Sequence, residues 1–137
     1  MEAGEGRERL RRLSARLVAL HAALLARERV SYEATYGPTD AAGLLRHVLE
    51  HEHFAWLRSL SRLIARIDEA VDAREPATGA DAGKLLAEVD RLLRSGGTDV
   101  FATRYREALQ ESPEVVMAHA EVVRVLGASR PARPPSA

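Results

Sequence analysis

The stretch ERLRRLSARLVALHAALLARER, residues 8–29, carries the clearest fold signal in the chain. Its leucines recur at alternating spacings of about three and four residues, which is the period of one face of an α-helix. We therefore expect a first helix over residues 8–29 with a leucine seam that faces a hydrophobic core. The seam consists of Leu10, Leu13, Leu17, Leu20 and Leu24.

A second and longer helix is expected over residues 41–73. The segment before it contains Gly37 and Pro38, which interrupt helices, and Thr39 or Asp40 is suited to cap the helix that follows. Its apolar residues again follow the helical period. They are Leu45, Leu49, Trp56, Leu60, Leu63, Ile67 and Val71.

Three further helices are expected over residues 81–94, 99–110 and 113–127. The last has Ser112 as a cap and Pro113 at its first position, a combination that favours helix initiation. No segment shows the sustained apolar–polar alternation of a strand. The fold class is therefore predicted as all-α, an antiparallel four- to five-helix bundle.

Length and composition predict a single domain. We expect a helical bundle over residues 8–127, a flexible N-terminus over residues 1–7 and a disordered, proline-rich tail over residues 128–137. The absence of cysteine excludes disulfides and thiolate metal sites. The zero formal charge does not favour nucleic acid or anionic membrane. No apolar run approaches the ~20 residues of a membrane span, so we expect a cytoplasmic protein of bacterial type.

The histidines around RHVLEHEHFAWLR, residues 46–58, fall on two faces of the expected second helix. At about 100° per residue, Glu52 and His53 border the buried stripe. His47 and His51 lie on the opposite side, together with Phe54. The HxxxH pair, His47 and His51, therefore points away from the core. Its two interpretations are a metal site at the surface and an ordinary solvent-exposed polar face.

An interior site is the alternative location for a metal or cofactor. His119 lies within the valine stripe of the last helix, and His21 and Glu28 flank the leucine seam. A bundle interior that collects these groups resembles the His and carboxylate sets that hold a divalent metal. The competing interpretation is that the buried polar groups pair with arginines, since only one Glu-x-x-His pair, Glu50 and His53, is present. The candidate ligands are His21, Glu28, Glu52, His53 and His119.

Other chemistry has little support in the sequence. Ser14, Ser59 and Ser61 lie on expected helices without a positioned base, so acyl transfer is not predicted. The arginines near the start of the first helix form a basic segment that offers a third, least favoured function in nucleic-acid binding, because glutamates dilute their charge. They are Arg7, Arg9, Arg11, Arg12 and Arg16.

The block FAWLRSLSRLIARIDE, residues 54–69, resembles that of a family of small bacterial all-helical proteins, in which a FAWLRPLS-like block marks the second helix. The resemblance extends over most of residues 17–126. It implies only the fold, because that family has no established activity. Ser59 stands where the family pattern has proline, which predicts a more regular second helix in this chain. A fainter likeness to DinB-type metal-binding bundles places His47 at a ligand position.

Taken together, these features predict a non-enzymatic helical-bundle protein that works by binding a protein partner or a second copy of itself. Phe54, Leu57 and Ile64 extend the apolar surface of the second helix beyond its seam, as is typical of a dimer face. A metal- or cofactor-binding bundle, including an enzyme, is the alternative.

Overall fold

The computed structural model describes residues 2–38, 40–43, 46, 52–75, 78–94 and 97–127, and the side chains of residues 2, 3, 52 and 53 lie outside that description. Within these ranges every regular element is a helix and no strand occurs. The all-α class is therefore confirmed. None of the described helices is both long enough and apolar enough to cross a lipid bilayer.

Helix α1, Glu2–Tyr36, is longer at both ends than the sequence predicted. Residues 2–7, expected to form a flexible N-terminus, lie within it. The helix ends where Gly37 adopts a positive φ of 92° and donates its N–H to the Glu33 carbonyl at 2.8 Å. Glycine favours this left-handed cap because it has no Cβ to clash. The five seam leucines are fully buried, as predicted.

The expected single second helix is interrupted, so that prediction is wrong. Helix α2, Glu52–Ala55, is followed by a turn at Trp56 and Leu57, and helix α3 covers Arg58–Asp72. The Leu57 N–H bonds to the Phe54 carbonyl at 3.1 Å, three residues back, which is tighter than an α-helical turn. The sequence predicted a more regular second helix because Ser59 stands where the FAWLRPLS-like block has proline. The interruption shows that this prediction is wrong.

The turn changes which residues face the core. Phe54 is 0% exposed and Leu57 is 1% exposed, and Trp56 between them is also buried. One regular helix cannot bury positions so close together on a single stripe, because successive residues rotate by about 100°. The prediction that Phe54 lies on the outer side is therefore wrong, and Leu57 is a core residue. Leu45 and Leu49 lie outside the described residues.

The remaining helices are α4, Gly79–Arg94, α5, Val100–Glu111, and α6, Pro113–Gly127. Asp99 caps α5 by accepting the Ala102 N–H at 2.7 Å, and Ser112 caps α6 by accepting the Val115 N–H at 3.2 Å. Asp40 caps the residues after it in the same way, through the Gly43 N–H at 2.7 Å. These caps stabilise helix starts by satisfying N–H groups that have no partner within the helix.

Helix α1 packs most extensively against α6 and α3, and also against α4. Its leucine seam joins the buried side chains of those helices in one hydrophobic cluster. The cluster includes Leu60, Leu63, Ile67, Leu85, Leu86, Val89, Leu93, Val115, Val122 and Leu126. Val71, which was predicted to lie on the seam of the second helix, is only partly buried, as is Leu92, and Val100 is exposed.

Candidate functional site

A row of polar contacts joins α1 to α3 beside the leucine seam. Arg7, Ser14 and His21 occur at seven-residue intervals and so lie on one side of α1. Arg7 donates to the Ala73 carbonyl at 2.9 Å, and Ser14 donates to the Asp68 carboxylate. The row holds the two helices in one register, because a shifted pairing would separate these partners.

His21 lies against Ser61, with 2.9 Å between Nε2 and Oγ. The expectation that Ser61 lacks a neighbouring base is therefore wrong. The Ser61 hydroxyl also bonds to the Leu57 carbonyl at 3.2 Å, and the Ser61 backbone N–H donates to that same carbonyl. A hydroxyl proton given to Leu57 leaves His21 as the donor to Oγ. The pair links α1 to α3 through the Ser61 hydroxyl.

The imidazole of His21 is partly buried between the two helices. Burial lowers its pKa from the ordinary value of 6.5, because loss of water penalises the charged form. The ring is consequently neutral at pH 7 and can act as both a hydrogen-bond donor and an acceptor.

Glu28, the next member of the seven-residue series, is 2% exposed. Arg27 donates to its carboxylate at 2.7 Å and also donates to Glu111. A buried carboxylate requires such a partner, because leaving it unpaired is costly. This contact matches the interpretation in which the buried acid pairs with an arginine.

His119 forms the second imidazole contact. Its Nδ1 lies 2.6 Å from the Tyr105 hydroxyl. The pKa of His119 is lowered by burial and then by the nearby charge of Arg94, and burial raises the pKa of Tyr105. At neutral pH both groups are therefore uncharged, and the tautomer of the imidazole sets which of the two donates the hydrogen bond. His119 is half-buried rather than central to the core, and Val116 of the predicted valine stripe is exposed.

An aromatic row leads from His119 into the core, and sequence reasoning missed it. Ring centroids are separated by 5.6 Å between His119 and Tyr105, 5.5 Å between Tyr105 and Phe101, and 5.4 Å between Phe101 and Trp56. Such distances are typical of favourable aromatic pairs. The four-residue spacing of Phe101 and Tyr105 was the available sequence signal. The buried Trp56 Nε1 has no hydrogen-bond partner among the described residues.

The predicted interior metal site stays a prediction. Among the described residues no group of three or more metal-ligating side chains comes together. His21 contacts Ser61, Glu28 contacts Arg27 and His119 contacts Tyr105. The side chains of Glu52 and His53 lie outside the described residues, as do Glu50, His47 and His51.

The basic segment at the start of α1 has intramolecular partners. Arg7 bonds to Ala73, Arg11 forms an ion pair with Glu8 at 3.1 Å, and Arg16 lies 3.9 Å from Glu121. Nearby carboxylates reduce the net positive field that a phosphate backbone would encounter.

The side of α1 opposite the leucine seam is exposed and apolar over about three turns. Val18 is 51% exposed and Val30 is 71% exposed. We name this surface the outer face of α1, and it comprises Ala15, Val18, Ala19, Ala22, Ala26 and Val30. No charged side chain lies on this side between Ala15 and Ala26, so that part of α1 is apolar on two opposite sides.

The outer face continues into a groove beside the start of α6. The groove has a volume of ≈ 460 Å³, and its lining is part apolar and part charged: Ala23, Ala26, Arg27, Val30, Glu111, Ser112, Pro113 and Glu114. Met117, one turn beyond Pro113, is 70% exposed. The apolar surface therefore reaches beyond one helix.

Comparison with models of protein families, with curated proteins and with solved structures finds no match to this chain.

Proposed function

We propose that the protein is a non-enzymatic helical-bundle protein that acts by binding, and that its partner is a second copy of itself. The observation that carries the proposal is the outer face of α1. A helix that is apolar on opposite sides is normally covered on both, whereas α1 exposes Val18 and Val30 among small apolar residues. Extended apolar surface on a folded domain is typical of an interaction site.

The proposal includes an antiparallel arrangement of the helices. Its support comes from contacts whose residue numbers change in opposite directions. Along α1 and α3, Ser14 contacts Asp68 and His21 contacts Ser61. Along α1 and α6, Arg16 lies near Glu121, while Arg27 contacts Glu111 just before α6 begins. An antiparallel bundle with its seam buried leaves the opposite side of α1 available.

The outer face of α1 replaces the binding surface that the sequence indicated. Phe54 and Leu57 are core residues, and Ile64 is partly buried against the core. Burying a valine side chain from water contributes about 1.5–3 kcal/mol. Two exposed valines in each copy therefore supply a driving force for association, before its entropic cost is subtracted.

A metal- or cofactor-binding bundle is the competing proposal. The two described imidazoles and the buried Glu28 each have a protein partner, which favours structural roles for these groups. Elemental analysis of protein purified without an affinity tag provides the test. A divalent metal at one equivalent per chain would favour this competing function over the binding protein.

Sedimentation velocity across micromolar concentrations tests self-association. We expect the wild-type mass to rise with concentration toward a dimer. Val18→Glu places a charge in the outer face and should shift the equilibrium to monomer. Val100→Glu is the matched control, because Val100 is 66% exposed at the start of α5 and lies outside the outer face. A wild-type protein that stays monomeric throughout would overturn the proposal.

A further inference from the structure

We propose that α1 pairs in antiparallel orientation with α1 of a second copy, about a twofold axis close to Ala22. This inference rests on the proposed function and adds the orientation and register of the pair. A twofold axis gives a closed dimer in which each copy offers the same surface.

The alanines of the outer face have the spacing of a two-helix seam. Ala15, Ala19, Ala22 and Ala26 are separated alternately by four and three residues. This alternation is the roughly 3.5-residue repeat that keeps one side of a helix against a partner helix. Val18 and Val30 flank the seam and add apolar area to it. Small side chains in the seam let the axes approach the lower end of the usual ~8–10 Å range.

Charged residues at the two ends of the outer face favour one orientation, and each end carries an acid and a base, Glu8 with Arg11 and Arg29 with Glu33. Arg11 precedes the uncharged segment, Glu33 follows it one turn beyond Arg29, and position 22 is midway between positions 11 and 33. At about 100° per residue both side chains stay within about 20° of Ala22 around the helix axis. Because α1 is continuous from Glu2 to Tyr36, an antiparallel pair brings Arg11 of each copy beside Glu33 of the other.

A parallel pair would have the opposite electrostatics. It would place Arg11 beside the same arginine of the second copy, and Glu33 beside the same glutamate. Such charge patterns contribute more to orientation and partner choice than to affinity. Arg11 and Glu33 also have partners within their own helix, Glu8 and Arg29, and the Glu33 side chain is 30% exposed.

Disulfide crosslinking distinguishes the two orientations, because the chain contains no cysteine. Ala22→Cys places one thiol per copy near the twofold axis, where a disulfide needs Cα atoms within about 7 Å. We expect this variant to form a covalent dimer under mild oxidation. Ala15→Cys is the matched control, because in the antiparallel pair its two thiols lie about 21 Å apart along the helix, at 1.5 Å per residue.

The outcomes separate this inference from the proposed function. Equal crosslinking of Ala15→Cys and Ala22→Cys in a protein that dimerises would overturn the antiparallel register and leave self-association intact. A dimer that Ala22→Cys does not crosslink would place the interface elsewhere and also overturn the inference. A protein that is monomeric by sedimentation would overturn both proposals.

Charge reversal gives an independent measurement. Arg11→Glu should raise the dissociation constant of the dimer by about three- to tenfold, because attraction becomes repulsion at both ends of the seam. Adding Glu33→Arg to this variant should bring the dissociation constant back toward the wild-type value. In a parallel dimer Arg11→Glu only exchanges one like-charge contact for another, so an unchanged dissociation constant would contradict the inference.

Discussion

His21 and His119 illustrate how position within the fold sets the chemistry of a side chain. Each imidazole is partly buried and has one polar partner, the hydroxyl of Ser61 or that of Tyr105. Burial lowers the pKa of both rings, and Arg94 lowers that of His119 further. Both contacts consequently involve neutral imidazole at pH 7, so protonation opposes the folded state.

This leads to a prediction about stability and pH. When the pKa of a histidine is lower in the folded state than in the unfolded chain, the unfolded chain binds the proton more tightly. The free energy of unfolding therefore falls as the pH drops below about 6.5. The slope contributed by each ring is at most about 1.4 kcal/mol per pH unit. Urea unfolding of the wild type between pH 7.5 and 5, at steps of about half a pH unit, measures how the free energy of unfolding depends on pH.

The control for this prediction is the double variant His21→Gln and His119→Gln. It retains hydrogen-bonding side chains but removes both titrating groups, and it leaves the other three histidines of the chain unchanged. Its free energy of unfolding should depend less steeply on pH in this range. An identical slope in wild type and variant would show that these two rings do not contribute.

At the level of elements, the junction between α2 and α3 shows why one turn of backbone matters. The tight turn at Trp56 and Leu57 lets Phe54, Trp56 and Leu57 all reach the core. Helix α3 then begins at Arg58, so Ser59 occupies its first turn. Proline is accepted in the first turn of a helix, where backbone N–H groups have no partner within the helix.

We therefore expect Ser59→Pro to be tolerated, with a change of less than about 1 kcal/mol in the free energy of unfolding. The matched control is Ser61→Pro, only two positions later. The Ser61 N–H donates to the Leu57 carbonyl at 3.0 Å, and proline there should cost about 3 kcal/mol or more. Chemical denaturation compares the two. Equal destabilisation by both prolines would mean that the helix does not restart at Arg58.

At the scale of the whole molecule, α1 is the helix around which the others pack. Its leucine seam is fully buried, and its flanks make polar contacts with α3 on one side and α6 on the other. The same helix presents the outer face from which self-association is proposed. One element thus connects the stability of the fold to the proposed interaction.

Leu17→Ala should accordingly cost about 2–5 kcal/mol, because it leaves a cavity where α1 meets its neighbours. Leu17 is 0% exposed. Val100→Ala, at an exposed position, should change the free energy of unfolding by less than about 0.5 kcal/mol. Thermal or urea unfolding of both variants at one protein concentration checks this. A small effect at Leu17 would contradict the central packing of α1.

Sequence periodicity was sufficient to predict which residues are buried where a helix is regular. The five seam leucines of α1 are buried as predicted, as are Leu60, Leu63 and Ile67 of α3. The caps at Asp40, Asp99 and Ser112 were also within reach of the sequence, because capping depends on one side chain and the N–H groups of the next turn. Each of these features is determined by residues within a few positions of one another.

The side-chain contacts of the candidate sites could not be predicted from the local sequence. The contact of His21 with Ser61 joins positions in two different helices, as does that of His119 with Tyr105, and no spacing within one helix encodes such a pair. The regular-helix angle placed Phe54 on the outer side, and a single tight turn moved it into the core. The positions after the turn kept their predicted side, because Leu60, Leu63 and Ile67 are buried where the regular-helix angles placed them.

The amino-acid sequence by itself determined that the chain is all-helical, which face of α1 is buried and where several helices begin, because these depend on short-range periodicity and capping. Only the tertiary structure decided that Phe54 and Leu57 belong to the core, that His21 and His119 pair with hydroxyls, and that Val18 and Val30 on the outer face of α1 are exposed. Burial of a surface is a property of the packed whole, since it depends on which neighbours arrive to cover it.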